Sequence, residues 1–187
     1  MLEHLLQWDE KLFFFINHAN LHWIDHWVPY FRHKIFWAPL YIFILSFFIW
    51  NYPRNGLIII LFAVLTVGLS DTISSRWIKK NVERLRPCND DHLKDEVTLR
   101  IRCGGGYSFT SSHATNHAAL AFFIFFLFCN HGRRRWRYLL VLWAIAVGLA
   151  QIYVGVHYPL DVLGGILVGT AVGWLSAWTF RRYFSLE

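Results

Sequence analysis

Five long stretches of this 187-residue chain contain no Asp, Glu, Lys or Arg, and no other feature limits the possible folds more. A helix needs about 20 mostly apolar residues to cross a bilayer, within a range of roughly 17–25. Hydrophobic residues make up 56% of the chain and charged residues only 16%, which argues against an ordinary soluble domain and against disorder. The sequence therefore predicts an integral membrane protein. The five stretches are 35–52, 55–70, 114–130, 138–156 and 162–180.

The fold class follows from the continuity of these stretches. A membrane barrel would show alternating strands, so continuous apolar runs predict an all-α membrane helix bundle. The second stretch is expected to continue as helix past Asp71 toward Ile78. We expect one membrane-embedded domain over residues 1–187 with about five transmembrane helices. Residues 1–34 mix apolar and charged side chains, which predicts short amphipathic helices in the interface, with a sixth span as the alternative.

Basic residues in the short connections predict how the bundle is oriented. Arg54 follows the first stretch, and arginine clusters at 133–137 and 181–182 follow the third and the fifth. With five spans all three positions lie on the cytoplasmic side, so the 79–110 connection and the 157–161 turn lie together on the opposite side. The net charge of +6 is accounted for by contact with the membrane surface, and we expect no nucleic-acid partner.

Three polar segments are predicted to meet at that opposite face. Arg binds phosphate oxygens bidentately, Lys adds a point charge, and the N-terminus of a helix offers unpaired N–H groups. Together with two His residues and a carboxylate, these groups predict a site that binds a phosphate and transfers it. The segments are Lys79-x6-Arg86-Pro87, Ser111-Ser112-His113 and His157-x3-Asp161.

In their order, these segments resemble the motifs K-x6-R-P, P-S-G-H and S-R-x5-H-x3-D of the type 2 phosphatidic acid phosphatase (PAP2) superfamily of membrane phosphatases. The resemblance covers roughly residues 35–180. In the second motif Thr110 and Ser112 replace Pro and Gly. In the third, Ala150-Gln151 replaces Ser-Arg, which removes one cationic phosphate ligand.

Gln151 can donate a hydrogen bond to a phosphate but without charge assistance. The arginines that we consider as substitutes for the missing cation are Arg76 and Arg102.

The resemblance implies a catalytic trio. His157 attacks phosphorus and forms a phosphohistidine, Asp161 holds its other ring nitrogen, and His113 acts first as general acid and then as base. No Asp/Glu cluster with metal-ligand spacing accompanies them, so we expect no metal and no other cofactor. The implied phosphate ligands are Lys79, Arg86, Ser111, Ser112 and Gln151.

The resemblance further implies a lipid phosphatase of the bacterial inner membrane, a monomer or weak homo-oligomer with its active site facing the periplasm. The small size of the chain favours undecaprenyl diphosphate as the substrate, with phosphatidylglycerophosphate, phosphatidic acid and lipid A as alternatives. A non-catalytic lipid-binding protein that kept the fold is an alternative from another class. Gln151 favours it, whereas the intact His113, His157 and Asp161 oppose it.

Two of the three cysteines lie in the 79–110 connection. Cys88 and Cys103 flank a charged stretch with little apolar surface, on the side assigned to the oxidising compartment. A disulfide between them would close a loop of about 15 residues and contribute roughly 3 kcal/mol. Two free thiols that share a loop are the alternative. Cys129, on the side assigned to the cytoplasm, is expected to stay reduced.

Three expectations concern residues near the motifs. Lys80 and Arg84 are expected to be solvated or to contact headgroups. His117 lies one helical turn after His113, so it either borders the site or packs as a polar residue. A small-residue face formed by Gly165, Gly169 and Gly173 predicts close helix packing inside the bundle.

Overall fold

The computed structural model describes residues 2–19, 21–129 and 135–186, and within these ranges the chain forms helices and loops without a β-strand. The predicted all-α class is thereby confirmed. Single 3₁₀ turns lie at Lys34–Trp37 and Pro87–Asn89, and a π-helical turn lies at Ile73–Ile78. The α-helices are α1 (Leu2–Asn17), α2 (His22–Asp25), α3 (Val28–Phe31), α4 (Ala38–Asn51), α5 (Gly56–Thr72), α6 (Lys79–Val82), α7 (Ser112–Leu127), α8 (Arg137–Tyr153) and α9 (Pro159–Tyr183).

Each of the five uncharged stretches forms a helix, but the helices differ in length. Two are long and apolar enough to cross a membrane: the continuous helix Gly56–Val82, with 27 residues, and Pro159–Tyr183, with 25. The α4, α7 and α8 helices have 14, 16 and 17 residues, so the count of five spans stays a prediction. In the predicted cytoplasmic cluster, Arg133 and Arg134 lie outside the described residues.

Helices α7 and α9 form the centre of the bundle because glycines allow their backbones to approach closely. A Cβ atom on Gly169 would lie 2.3 Å from the Thr115 carbonyl oxygen, and one on Gly173 would lie 2.5 Å from that of Ala119. The predicted packing role of the glycine face is thus confirmed. The Ser111 N–H, at the start of α7, donates to the Asp161 carbonyl oxygen over 2.9 Å. Close packing therefore brings the N-terminal ends of the two helices together.

The N-terminal segment packs against this end of the bundle. Phe13 of α1 is fully buried in a cluster with Ile152, Tyr158 and Val162. The Asn17 Nδ2 atom donates to the carbonyl oxygens of Thr98 (2.9 Å) and Tyr153 (3.0 Å). The opposite face leaves large aromatic side chains exposed, which supports the prediction of an interfacial segment. These side chains are Trp8, Phe15, Trp23 and Trp27.

The connection between α6 and α7 is held by a covalent link. Cys88 and Cys103 form a disulfide across 15 residues, with Cα atoms 6.0 Å apart, and this confirms the predicted bridge. Next to it, the Asn89 Nδ2 atom donates to the Gly104 carbonyl oxygen over 3.3 Å. Arg86-Pro87 and the glycine run 104–106 are therefore tied to each other beside the N-terminus of α7.

Candidate active site

A polar cavity of about 470 Å³ lies at the end of the bundle where α7 and α9 begin. Its walls come from the end of α3, the π-helical turn, the start of α7, the 79–110 connection and the turn before α9. Cationic side chains and two imidazoles dominate the lining, a composition suited to an anion. The lining residues are Arg32, Ser75, Lys79, Arg86, Arg102, Gly104, Gly105, Gly106, Tyr107, Ser112, His113, Val156 and His157.

His157 lies in the turn between α8 and α9, with a side chain that is almost fully buried. Its Nδ1 atom is 3.3 Å from the Ser108 Oγ atom and 3.5 Å from Oδ2 of Asp161. The Ser108 hydroxyl donates to that same Oδ2 atom. A hydroxyl that donates to the carboxylate retains lone pairs to accept from the Nδ1–H of His157. The arrangement therefore occupies Nδ1 and leaves Nε2 as the nitrogen available for attack on a ligand.

Burial lowers the pKa of His157 to about 4, although Asp161 opposes the shift by favouring the charged ring. The imidazole is consequently neutral at physiological pH. A neutral ring has a lone pair on Nε2, which a nucleophile requires.

Asp161 is fully buried at the start of α9, where the backbone and two side chains hold it. Its Oδ2 atom accepts from the Tyr158 N–H over 2.8 Å, which closes a capping box at the start of the helix. Its Oδ1 atom accepts from Nη1 of Arg84 over 2.9 Å. Neither Asp161 nor Ser108 lines the cavity, and both act on it through His157.

The expectation that Arg84 is solvated or contacts lipid headgroups is wrong, because its side chain is paired inside the protein. Its Nη2 atom donates to Oδ2 of Asp9 over 2.6 Å, and its guanidinium lies 3.8 Å from the centre of the Tyr158 ring. Asp9 also accepts from the Leu160 N–H over 2.8 Å. The side chain of Arg84 thus bridges α1 to the carboxylate behind His157.

Lys79 and Arg86 reach the cavity from the same connection, as predicted from their motif. The Lys79 Nζ atom donates to the Tyr107 carbonyl oxygen over 2.8 Å, and the Arg86 Nε atom donates to that of Gly106 over 3.2 Å. Gly106 has a positive φ of 82°, a conformation that favours glycine. Gly106 therefore lets the chain turn tightly over the cavity, where its own carbonyl group orients Arg86 and that of Tyr107 orients Lys79.

At the start of α7, Ser112 and His113 both line the cavity. The Ser112 Oγ atom lies 3.1 Å from Oγ of Ser74 and 3.0 Å from Oγ of Ser75, in the π-helical turn. One turn later, the Nδ1 atom of His117 lies 2.8 Å from the His113 carbonyl oxygen. The centre of the His117 ring lies 4.8 Å from that of the Trp143 ring. Of the two interpretations of His117, the structure supports the packed polar residue.

Two of the predicted phosphate ligands do not reach the cavity. Ser111 is fully buried, because its hydroxyl caps α7 by accepting from the Ala114 N–H at 3.5 Å. Gln151 is also fully buried, and its Nε2 atom donates to the Val147 carbonyl oxygen of its own helix at 3.4 Å. The geometry therefore does not support a direct contact of either side chain with a phosphate in this cavity, and their role as phosphate ligands stays a prediction.

Three further residues of the site were not predicted from the sequence. Arg32 lies far from every motif along the chain, Arg84 is at an unspecified position inside the first motif, and Ser108 lies between the first and the second motif. A local signal is the run Gly104-Gly105-Gly106, which predicts a tight turn shortly before the start of α7. Of the two substitutes considered for the missing cation, Arg102 lines the cavity, whereas Arg76 is exposed and does not.

Comparison with known proteins identifies related sequences and folds. The family model of the PAP2 superfamily matches residues 56–185. A lipid A 4'-phosphatase of Bacteroides thetaiotaomicron is 32% identical over 94% of this chain and 78% of its own length. The undecaprenyl-diphosphatase BcrC of Bacillus subtilis is 43% identical, but over only 36% of this chain and 33% of its own length.

The fold has a close counterpart among solved structures. A transmembrane PAP2-type phosphatidylglycerolphosphate phosphatase from Bacillus subtilis superposes with a TM-score of 0.72 over 98% of this chain and 90% of that one. The two sequences are 20% identical, so the likeness concerns the fold alone.

Proposed function

The chain belongs to the PAP2 superfamily and is a membrane phosphatase that hydrolyses a phosphoric ester, and on this premise we propose that its substrate is lipid A. The observation that carries the proposal is the identity of 32% with a lipid A 4'-phosphatase along 94% of the chain. Undecaprenyl diphosphate, favoured by the size of the chain, has weaker support, because the diphosphatase match covers 36%. The proposed reaction removes the 4'-phosphate as a monoester.

The first step of the proposed mechanism is attack on phosphorus by Nε2 of His157. The N–P bond forms as the P–O bond to the lipid breaks, and His113 donates a proton to the departing sugar oxygen. The resulting phosphohistidine carries positive charge on the ring. Ser108 stabilises that charge by accepting from Nδ1–H, and the Asp161 carboxylate, 3.5 Å from Nδ1, stabilises it electrostatically.

The second step reverses the role of His113. A water molecule attacks phosphorus, His113 removes its proton, and the N–P bond breaks to release inorganic phosphate and neutral His157. Lys79, Arg86 and the N-terminus of α7 stabilise the negative charge on the phosphate oxygens in both transition states.

We further propose that the cavity opens to the periplasm from the inner membrane. The Cys88–Cys103 disulfide borders the cavity through Gly104, and disulfides persist in oxidising compartments. Cytoplasmic placement would expose this bridge to reducing conditions. The basic residues Arg54, Arg181 and Arg182 fall at the other end of the bundle, which favours a cytoplasmic position for that end, although the basic cluster 79–86 at the cavity end departs from the positive-inside rule.

Phosphate release by the purified protein in detergent tests the substrate. We expect turnover of bisphosphorylated lipid A, with mass spectrometry showing loss of the 4'-phosphate, and no turnover after His157→Ala. The His92→Ala variant, which removes an exposed imidazole from the same connection, is the matched control and should retain activity. Faster turnover of undecaprenyl diphosphate, phosphatidylglycerophosphate or phosphatidic acid, or loss of the 1-phosphate instead, would contradict the proposal.

A further inference from the structure

Position 151 leaves the site without a cation that the family pattern provides. The Gln151 side chain is turned along α8, and its Oε1 atom is buried with no hydrogen-bond partner among the described residues. A glutamine whose side chain is fully buried and does not line the cavity cannot replace the phosphate contact of an arginine. A phosphate in the cavity therefore needs a positive charge from elsewhere in the chain.

Arg32 is placed at the cavity by the packing of the N-terminal segment. It directly follows α3, whose Val28 is buried against Ala150, Tyr153 and Val154 at the end of α8. Trp37 holds the C-terminal end of α3, since its Nε1 atom donates to the Phe31 carbonyl oxygen over 2.6 Å. The segment thus docks on the same turn of α8 that contains Gln151 and presents Arg32 to the ligand.

The guanidinium of Arg32 is partly removed from water, and one of its nitrogens is not satisfied within the part of the chain that the structure describes. Its Nε atom is buried without a hydrogen-bond partner among residues 2–19, 21–129 and 135–186. Burial lowers the pKa of Arg32, and the nearby charge of Arg86 lowers it further. Two arginines that repel each other across a cavity are stabilised together by an anion bound between them.

Arg102, the other arginine at the cavity outside the motifs, is less suited to this role. Its side chain is exposed, so water screens its charge, whereas Arg32 is half-buried. Arg32 also lies close enough to His113 and Arg86 for its charge to act on both of them. By its burial and its proximity to these two residues, Arg32 is better placed than Arg102 to bind a phosphate.

We infer that Arg32 supplies, from the N-terminal segment, the phosphate-binding cation that the family pattern places at position 151. The inference rests on the proposed function in that both concern the same site, but it requires only a phosphate and not a particular lipid. The first 34 residues then contribute directly to the active site.

Inorganic phosphate is the probe that tests Arg32 without depending on the lipid. Arg32→Gln should raise the inhibition constant of inorganic phosphate and lower kcat/KM by about tenfold to a hundredfold, the range for a charge-assisted hydrogen bond. Arg32→Lys should give an intermediate loss, because it keeps the charge without the planar fork. Arg76→Gln, an exposed arginine away from the cavity, is the matched control and should change neither value.

A second-site variant separates loss of charge from loss of folding. Gln151→Arg combined with Arg32→Gln should recover part of the phosphate affinity, while Gln151→Arg alone should gain little. Thermal unfolding of each variant identifies misfolding. If Arg32→Gln does not fold, the inhibition constant of inorganic phosphate is measured with Arg32→Lys instead. The inference is wrong if folded Arg32 variants bind phosphate as the parent protein does, or if Arg102→Gln weakens binding more than Arg32→Gln does.

The outcomes also distinguish this inference from the proposed substrate. If lipid A is not hydrolysed but phosphate binding depends on Arg32, the substrate is wrong and the inference stands. If lipid A is hydrolysed and the Arg32 variants keep the parent inhibition constant, the inference is wrong and the proposed function stands. Absence of any phosphate inhibition in the parent protein counts against the inference.

Discussion

Arg84 binds Asp161 from behind the active site, with 2.9 Å between its Nη1 atom and Oδ1 of the carboxylate. Its second terminal nitrogen reaches Asp9 of α1 over 2.6 Å. Because Asp161 is fully buried, its negative charge needs compensation, and Arg84 contributes to it together with the contacts that the carboxylate makes with His157 and Ser108. The N-terminal helix is consequently coupled to the catalytic residues through one guanidinium.

Replacing Arg84 tests this coupling. Arg84→Gln should lower kcat by about tenfold or more, because Asp161 loses its cationic partner, while KM changes little since Arg84 does not line the cavity. Burial raises the pKa of Asp9 and Arg84 lowers it, so the variant should also protonate Asp9 more readily. Steady-state kinetics measures the effect, with the exposed Lys80→Gln as the control. A rise in KM at constant kcat would contradict a positioning role.

Ser108 is expected to matter because it lies between His157 and Asp161. Ser108→Ala removes the hydroxyl that contacts both, and the direct separation of 3.5 Å is too long for a strong hydrogen bond. We expect the loss of about 1–2 kcal/mol of transition-state stabilisation, or roughly tenfold in kcat. Pre-steady-state measurement of the rate of phosphoenzyme formation in Ser108→Ala and in the parent protein gives the loss in rate. Ser185→Ala, at an exposed position, is the control, and equal rates in the two variants would exclude the role of Ser108.

The sequence predicted the helices and most of the cavity, but not the contacts between distant segments. Five of the residues that line the cavity were predicted from the sequence, because motif spacing places them at or near helix ends that close packing brings together. They are Lys79, Arg86, Ser112, His113 and His157.

Arg32 and Ser108 were missed because only tertiary packing brings them to the site, through the docking of α3 on α8 and the turn around Gly106. Ser111 and Gln151 do not line the cavity, for a local reason. A helix N-cap uses its hydroxyl within the helix, and a glutamine inside a helix can satisfy its amide on the preceding turn. Neither preference is visible in motif spacing.

The protonation of His157 predicts the effect of pH. Burial lowers its pKa to about 4, whereas an unfolded imidazole titrates near 6.5. Between these values the unfolded chain binds more protons, so the contribution of His157 to the free energy of unfolding falls as pH falls through this window. NMR of ring-labelled histidine should show His157 titrating near pH 4, with His157→Gln identifying the resonance. Titration near pH 6.5 would contradict a buried neutral nucleophile.

The disulfide predicts both a thiol count and a loss of function on reduction. Thiol labelling of the denatured, oxidised protein should detect one cysteine, Cys129, and three after reduction. Cys88→Ser with Cys103→Ser should lower the free energy of unfolding by about 3 kcal/mol. It should also weaken phosphate inhibition, because Arg86 and Gly104 lie next to the bridged residues. Cys129→Ser is the control, and three labelled thiols before reduction would disprove the bridge.

Trapping the covalent intermediate tests the account most directly. The protein is mixed with lipid A carrying a radiolabelled 4'-phosphate and quenched in alkali, in which phosphohistidine survives, and the labelled residue is identified by mass spectrometry. We predict label on His157, its absence in His157→Ala, and its accumulation in His113→Ala when a good leaving group replaces the lipid, because hydrolysis then lacks its base. Continued phosphate release by His157→Ala, or label on any other residue, would contradict the account.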